Sequence, residues 1–175
     1  MDKVRLGIIG VGVQGGFYAG ILTGIANFPG GSASDFETDK IEVGALCDID
    51  PEVRAKCAEK FPDIPIFEDY QEMVTSGEVD AVVITVPHYL HPEIAIYALD
   101  HGVHTLVEKP AGVYTKQVRE MNEFAATKPE LTFAIMFNQR TNSLYRQLKA
   151  IIDSGELGNI RRSNWIINSW WRPQS

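Results

Sequence analysis

The feature that most constrains this chain is a glycine run set on the end of an apolar one. Residues 4–9 read VRLGII and pass directly into Gly10-Val11-Gly12-Val13-Gln14-Gly15. A short apolar stretch bounded by glycine reads as a buried strand. A G-x-G-x-x-G spacing between a strand and a helix has a specific mechanical content. Gly10 permits a tight turn, Gly12 leaves the backbone open to close approach, and Gly15 lets helix and strand pack against each other. The helix is expected over Gln14–Asn27. Amide N–H groups in the first turn of a helix have no partner inside it, and where they converge they hold a phosphate. The run therefore reads as a dinucleotide-binding turn, with a glycine turn that holds no ligand as the alternative.

Such a turn asks for an acidic residue at the end of the second strand, where it accepts the hydroxyls of an adenosine ribose. Residues Ile41–Cys47 read as that strand, and Asp48 follows it. Asp48 lies farther past Gly15 than the usual spacing of about 20 residues, and the loop FPGGSASDFETD at 28–39 accounts for the excess. A carboxylate repels a 2′-phosphate, and the next residue, Ile49, brings no positive charge, so the pair favours NAD over NADP. The alternative leaves Asp48 as a plain turn cap.

Downstream, strand and helix patterns alternate. Strands are expected at 64–67, 79–86, 103–107 and 131–137. Asp50 with Pro51, and Asp69 with Glu72, open helices in the way that capping residues do. Pro92 starts a helix that Gly102 ends. Thr115–Ala126 is another, and Leu144, Leu148, Ile151 and Ile152 mark a last one before Gly155. Continuously apolar strands separated by helices predict an α/β architecture, a Rossmann-type doubly wound parallel sheet covered on both faces. Val4–Gly10 should be central, between the strands at 41–47 and 79–86. Residues 1–155 form this domain in the sequence reading. A strand at 160–168 has no helix after it and reads as the first strand of a second α+β domain within 156–175. An uncovered apolar edge there invites pairing between chains.

Composition excludes several function classes. The net charge of −7 offers no basic excess for phosphate backbones, which argues against nucleic acid as a partner. Cys47 and Cys57 fall on apolar positions and read as core thiols of a reducing compartment. Two cysteines without clustered histidines make no zinc site. The apolar run at the N-terminus is too short for a membrane span. The expectation is a cytoplasmic protein with no membrane partner.

Residues 103–110 read VHTLVEKP: a strand that ends in Glu108 and Lys109, with Lys109 held extended by the proline behind it. With ITVPHYLH (84–91), FNQR (137–140), SGELGNIRRSNW (154–165) and the glycine loop, the chain resembles the Gfo/Idh/MocA family of NAD(P)-dependent sugar and cyclitol oxidoreductases. The resemblance implies roles by position. Gly10–Gly15, Asp48 and Ile49 would hold the adenosine and pyrophosphate. Thr85, Pro87 and His88 would line the nicotinamide side, His88 standing where many members have asparagine. His91 matches a family histidine at a helix start and is either a cap or a ligand. Glu108 and Lys109 match the pair whose lysine reaches the nicotinamide ribose and the reacting carbinol, with a cis bond before Pro110. The bland alternative has Lys109 reaching solvent with Glu108 as its ionic partner. Asn138 and Arg140 would fall near cofactor or substrate, a surface salt bridge being the alternative for Arg140. WWRP (170–173) resembles a loop that reaches over the cleft, or else packs in a second domain.

What the resemblance implies for the whole is hydride transfer between a sugar, polyol or cyclitol carbinol and nicotinamide. NAD-dependent glycoside cleavage and a non-catalytic NAD-binding regulator are the alternatives. The family's second domain carries an acid/base histidine, substrate contacts and the homo-oligomer interface. Those segments do not follow Ser175 here, so the expectation is a fragment of a longer enzyme, inactive alone, with a naturally truncated protein as the alternative.

Overall fold

The computed structural model describes residues 3–25 and 38–166, and the chain divides into two compact units, Met1–Met136 and Phe137–Ser175. In the first, the elements run β1 (Val4–Ile9), α1 (Val13–Thr23), β2 (Ile41–Cys47), α2 (Pro51–Lys60), β3 (Ile66–Phe67), α3 (Tyr70–Thr75), β4 (Ala81–Ile84), α4 (His91–Asp100), β5 (His104–Val107), α5 (Thr115–Ala126) and β6 (Phe133–Ile135). The strands form one sheet in the order β3-β2-β1-β4-β5-β6, and every pairing is parallel. β1 is central and its neighbours are β2 and β4, as the patterning predicts.

Alternation along the strands divides the core. Ile8, Leu46 and Val83 join a cluster with Ala19 of α1 and Cys57 of α2. Their neighbours Ile9, Cys47, Val82 and Ile84 join another, with Met73 and Val74 of α3, Ile94, Ala95 and Ala98 of α4, and Met121 of α5. Adjacent strand residues point to opposite faces, so each face of the sheet is buried under its own helices. That explains why VVI in β4 reads as continuously apolar rather than alternating.

The helix starts follow local chemistry. The Asp50 carboxylate accepts from the Glu52 N–H at 2.8 Å with Pro51 at the first helical position, and Asp69 accepts from the Gln71 N–H at 2.8 Å. α1 stops at Thr23 because Gly24 takes the left-handed conformation, φ 69°, a conformation that favours glycine. The helix is thus shorter than the expected 14–27, whose end lies outside the described residues, as does most of the loop at 28–39. β4 and β6 are also shorter than expected, each limited to the residues that face a partner strand.

The second unit is described by itself. The Asn142 side chain accepts from the Leu144 N–H at 3.0 Å and opens α6 (Ser143–Asp153), and the Tyr145 and Trp165 rings pack with centroids 5.3 Å apart. The strand expected over 160–168 is not formed in its described part: residues 161–166 take no regular structure. A strand needs a neighbour for its backbone groups, and none pairs with this segment among the described residues. Its last residues, and Trp170 and Trp171, lie outside the described residues. Among those described, no helix is long and apolar enough to cross a membrane.

Cys47 and Cys57 are both buried free thiols. Burial, with Asp48 adding to it, pushes the Cys47 thiol up to about 12 from 9.0. Between those values the folded chain keeps the proton and the unfolded chain loses it, so stability falls as pH rises through this window. Thermal melts should therefore show a melting temperature that declines above about pH 9, with a shallower decline in Cys47→Ala. Equal slopes in the two proteins would contradict the assignment.

Candidate functional site

The crossover from β3 on one side of β1 to β4 on the other opens a crevice beyond the carboxyl ends of the strands, where open parallel sheets bind ligands. The glycine turn, Asp48, Thr85, and Glu108 with Lys109 all follow strand ends there. The Gly10 N–H donates to the Cys47 carbonyl at 2.7 Å, and the Val11 N–H donates to Asp48 Oδ2 at 2.7 Å. Asp48 Oδ1 accepts from the Asp50 N–H at 3.0 Å. Asp48 is thus pinned beside the glycine turn, and each of its oxygens has a second lone-pair position to offer. Ile49 and Val13 are each 82% exposed beside it.

The three glycines differ in what surrounds them. A Cβ on Gly15 would overlap the Gly10 carbonyl oxygen and lie 2.7 Å from Thr85 Oγ1. Gly10 has φ +88°, with Thr85 and Val86 against it. Gly12 has open space on its side-chain position, with no atom within 4 Å. α1 has no side-chain cap at Gly12 and no acidic residue in its first turn. A close-packed turn, an open glycine and an uncapped helix start make a cradle that fits an anionic pyrophosphate. Gln14 lies in this turn and lines the adjoining recess.

That recess, of about 120 Å³, is walled by Gln14, Thr85, Val86, His88, His91, Glu108 and Lys109. Thr85 anchors one side: its N–H and hydroxyl reach the Ile9 carbonyl at 2.8 and 3.0 Å, and the hydroxyl also reaches the Gly10 carbonyl at 2.5 Å. Pro87 leads into a 3-10 turn, His88–Leu90. On the other side the peptide bond between Lys109 and Pro110 is cis, as the resemblance implies. Glu108 is only 7% exposed, so its carboxylate must be hydrogen-bonded. Oε1 accepts from the Tyr18 hydroxyl, and Oε2 accepts from the Lys109 N–H at 2.9 Å. Burial, then the Glu108 carboxylate, pushes the Tyr18 phenol well above its usual range, so Tyr18 stays a donor. Glu108 is therefore satisfied by a phenol and a backbone amide, and the ion pair with the Lys109 ammonium is not formed. Lys109 is exposed at the recess.

His91 is fully buried, with its ring nitrogens on two backbone carbonyls. Asn138 and Arg140 belong to the second unit, in a 3-10 turn over Asn138–Thr141, and the Arg140 guanidinium lies 5.6 Å from the Phe137 ring centroid. The structure thus gathers Gly10–Gly15, Asp48, Ile49, Thr85, Pro87, His88, His91, Glu108 and Lys109 at the strand ends of the first unit. Two residues went unnoticed in the sequence. Tyr18 lies one helical turn past Gln14, on the same face of α1, and that i,i+4 spacing was the available signal. Arg54 donates to the Asp48 and Ile49 carbonyls at 2.9 and 2.8 Å and pairs with Glu68 at 2.7 Å. Its position one turn after the Asp50 cap was the corresponding sign.

Comparison with known proteins gives the family and the fold. The Gfo/Idh/MocA family model, described as an oxidoreductase family with an NAD-binding Rossmann fold, matches residues 4–136. Inositol 2-dehydrogenase of Salmonella typhimurium is 29% identical over 156 residues, which cover 89% of this chain and 43% of that protein. An NADP(+) scyllo-inositol 2-dehydrogenase of Bacillus subtilis is 22% identical over 99% of this chain and 44% of its own length. Among solved structures, scyllo-inositol dehydrogenase from Lactobacillus casei, with bound NAD(H) and scyllo-inositol, superposes with TM-score 0.77 at 25% identity, covering 90% of this chain and 43% of that one. The chain spans less than half the length of these relatives.

Proposed function

The chain belongs to the Gfo/Idh/MocA oxidoreductase family, and from that premise we propose that it is the NAD-binding part of an enzyme that moves hydride between nicotinamide and the carbinol of a sugar, polyol or cyclitol. The observation that carries the reading is the recess that sets Lys109 beside Thr85 and His88 at the end of the glycine cradle. When bound, the nicotinamide supplies the hydride acceptor or donor. Gly10, Val11, Gly12, Val13, Gln14 and Gly15 cradle the pyrophosphate, and Asp48 accepts the adenosine ribose hydroxyls while Ile49 covers the base. Thr85, Pro87 and His88 form the wall on the nicotinamide side. Lys109 holds or moves the proton of the substrate hydroxyl. Glu108, with both oxygens accepting from Tyr18 and the Lys109 backbone, sets the direction in which Lys109 leaves the strand. Asn138 and Arg140 contribute polar contacts to cofactor or substrate in the assembled enzyme. The substrate is a small sugar-like molecule, and a homo-oligomer built through further chain is part of the same reading.

Asp48 decides between the two nicotinamide cofactors in this proposal. Its carboxylate accepts ribose hydroxyls and repels a 2′-phosphate, and the nearby Arg54 is turned onto the Asp48 and Ile49 carbonyls and Glu68. Calorimetry on the chain should give tighter binding for NAD than for NADP, and Asp48→Ala should narrow the gap. Equal affinities in the parent protein would reject the assignment.

A further inference from the structure

His91 begins α4 yet caps nothing: no side-chain hydrogen bond closes that helix start. Its side chain is 0% exposed. Nδ1 stands 2.8 Å from the Pro110 carbonyl oxygen, and Nε2 stands 2.9 Å from the Val86 carbonyl oxygen. Both partners are acceptors only, so a hydrogen bond forms at whichever ring nitrogen carries a proton: one in the neutral imidazole, both in the imidazolium. Neither nitrogen is left to face a ligand.

The two carbonyls belong to the two segments that wall the recess. Val86 sits between Thr85 and Pro87 on the β4 exit, and Pro110 follows Lys109 on the β5 exit. β4 and β5 pair only as far as Ile84 with Val107, and the Glu108 N–H adds one more bond, to the Ile84 carbonyl at 3.0 Å. Beyond that point the sheet no longer ties the exits together, and His91 bridges them. Thr85 is tied separately to β1 through the Ile9 carbonyl, and Asp48 is tied to the glycine turn. Loss of the imidazole therefore frees Val86–His88 and Lys109-Pro110 from each other, while the pyrophosphate and adenosine contacts keep their own anchors.

We propose that His91 is a positioning residue, a strut that sets the separation of the Thr85–His88 wall from Lys109 and so fixes the nicotinamide half of the site without touching the cofactor. The proposal rests on the nucleotide-binding reading above. It is tested with NADH, followed by its nicotinamide fluorescence, and with ADP-ribose, which has the adenosine and pyrophosphate but no nicotinamide. In His91→Asn and His91→Gln, ADP-ribose affinity should stay close to the parent. NADH affinity should fall about tenfold, the scale of a lost polar contact, and the fluorescence change on binding should shrink. Parallel losses for both ligands, or no loss for either, would overturn the strut. A parent protein that binds neither ligand would overturn the nucleotide reading itself. A measurement on the unmutated chain stands apart from the variants' folding: in ¹⁵N-histidine spectra the His91 ring nitrogen that carries a proton should be hydrogen-bonded, and neither ring resonance should move on saturating NADH. A large shift of those resonances on NADH addition, as for a ligand, would refute the proposal.

Discussion

Lys109→Ala is expected to lower the proposed hydride-transfer turnover by about 10²–10⁴-fold, the range for a positioned proton-transfer group. NAD affinity should change far less, because the pyrophosphate and adenosine contacts of the proposed site lie on Gly10–Gly15 and Asp48. The structure sharpens the expectation. Lys109 does not pair with Glu108, whose oxygens are occupied by the Tyr18 hydroxyl and the Lys109 N–H, so no buried ion pair is broken when the ammonium is removed. The folded state should lose little, and the loss should appear in kcat rather than in melting temperature. Lys109→Arg should not restore turnover, since a guanidinium stays protonated and cannot act as a base. Near-parental turnover in Lys109→Ala, measured by steady-state NADH production, would make the lysine structural.

The second large effect separates two glycines of one motif. At Gly15 a methyl group would overlap the Gly10 carbonyl oxygen, and backbone has no rotamer in which to retreat. Gly15→Ala should destabilise the fold by at least about 1–3 kcal/mol, the usual cost of overpacking, and remove NAD binding with it. At Gly12 a methyl group meets nothing within 4 Å, so Gly12→Ala should melt close to the parent. Its methyl would occupy the face left to the pyrophosphate, and NAD affinity should fall by about 10–100-fold, the value of hydrogen bonds to a charged group. Denaturation and calorimetry on the same two variants check this. A Gly12→Ala protein that binds NAD normally would remove the pyrophosphate from that face.

What could be read from the sequence was what neighbours within a few residues decide. The glycine turn, the Asp50 and Asp69 caps and the apolar runs of β1, β2 and β4 each act over one or two turns of chain, so their types and order were legible, and the parallel arrangement followed from their alternation. Strand ends were less so. β6 is confined to Phe133–Ile135, the residues that face Thr105–Val107 of β5, and the patterning alone extended it to 131–137. The segment at 160–168 has a strand's composition, but no pairing strand stands beside its described part.

The site shows the same division. Gly10–Gly15, Asp48, Glu108 and Lys109 stood out because motif spacing and strand ends are local properties. That Glu108 would be met by Tyr18, 90 residues away in sequence, depended on α1 being laid across the sheet. His91 was equally indeterminate: a histidine at a helix start can cap, bind or brace. Only the packing of α4 under the β4 and β5 exits put a carbonyl against each ring nitrogen. Local spacing determined which residues reach the crevice, and long-range packing, which brings together groups far apart in the chain, decided what each of them touches there.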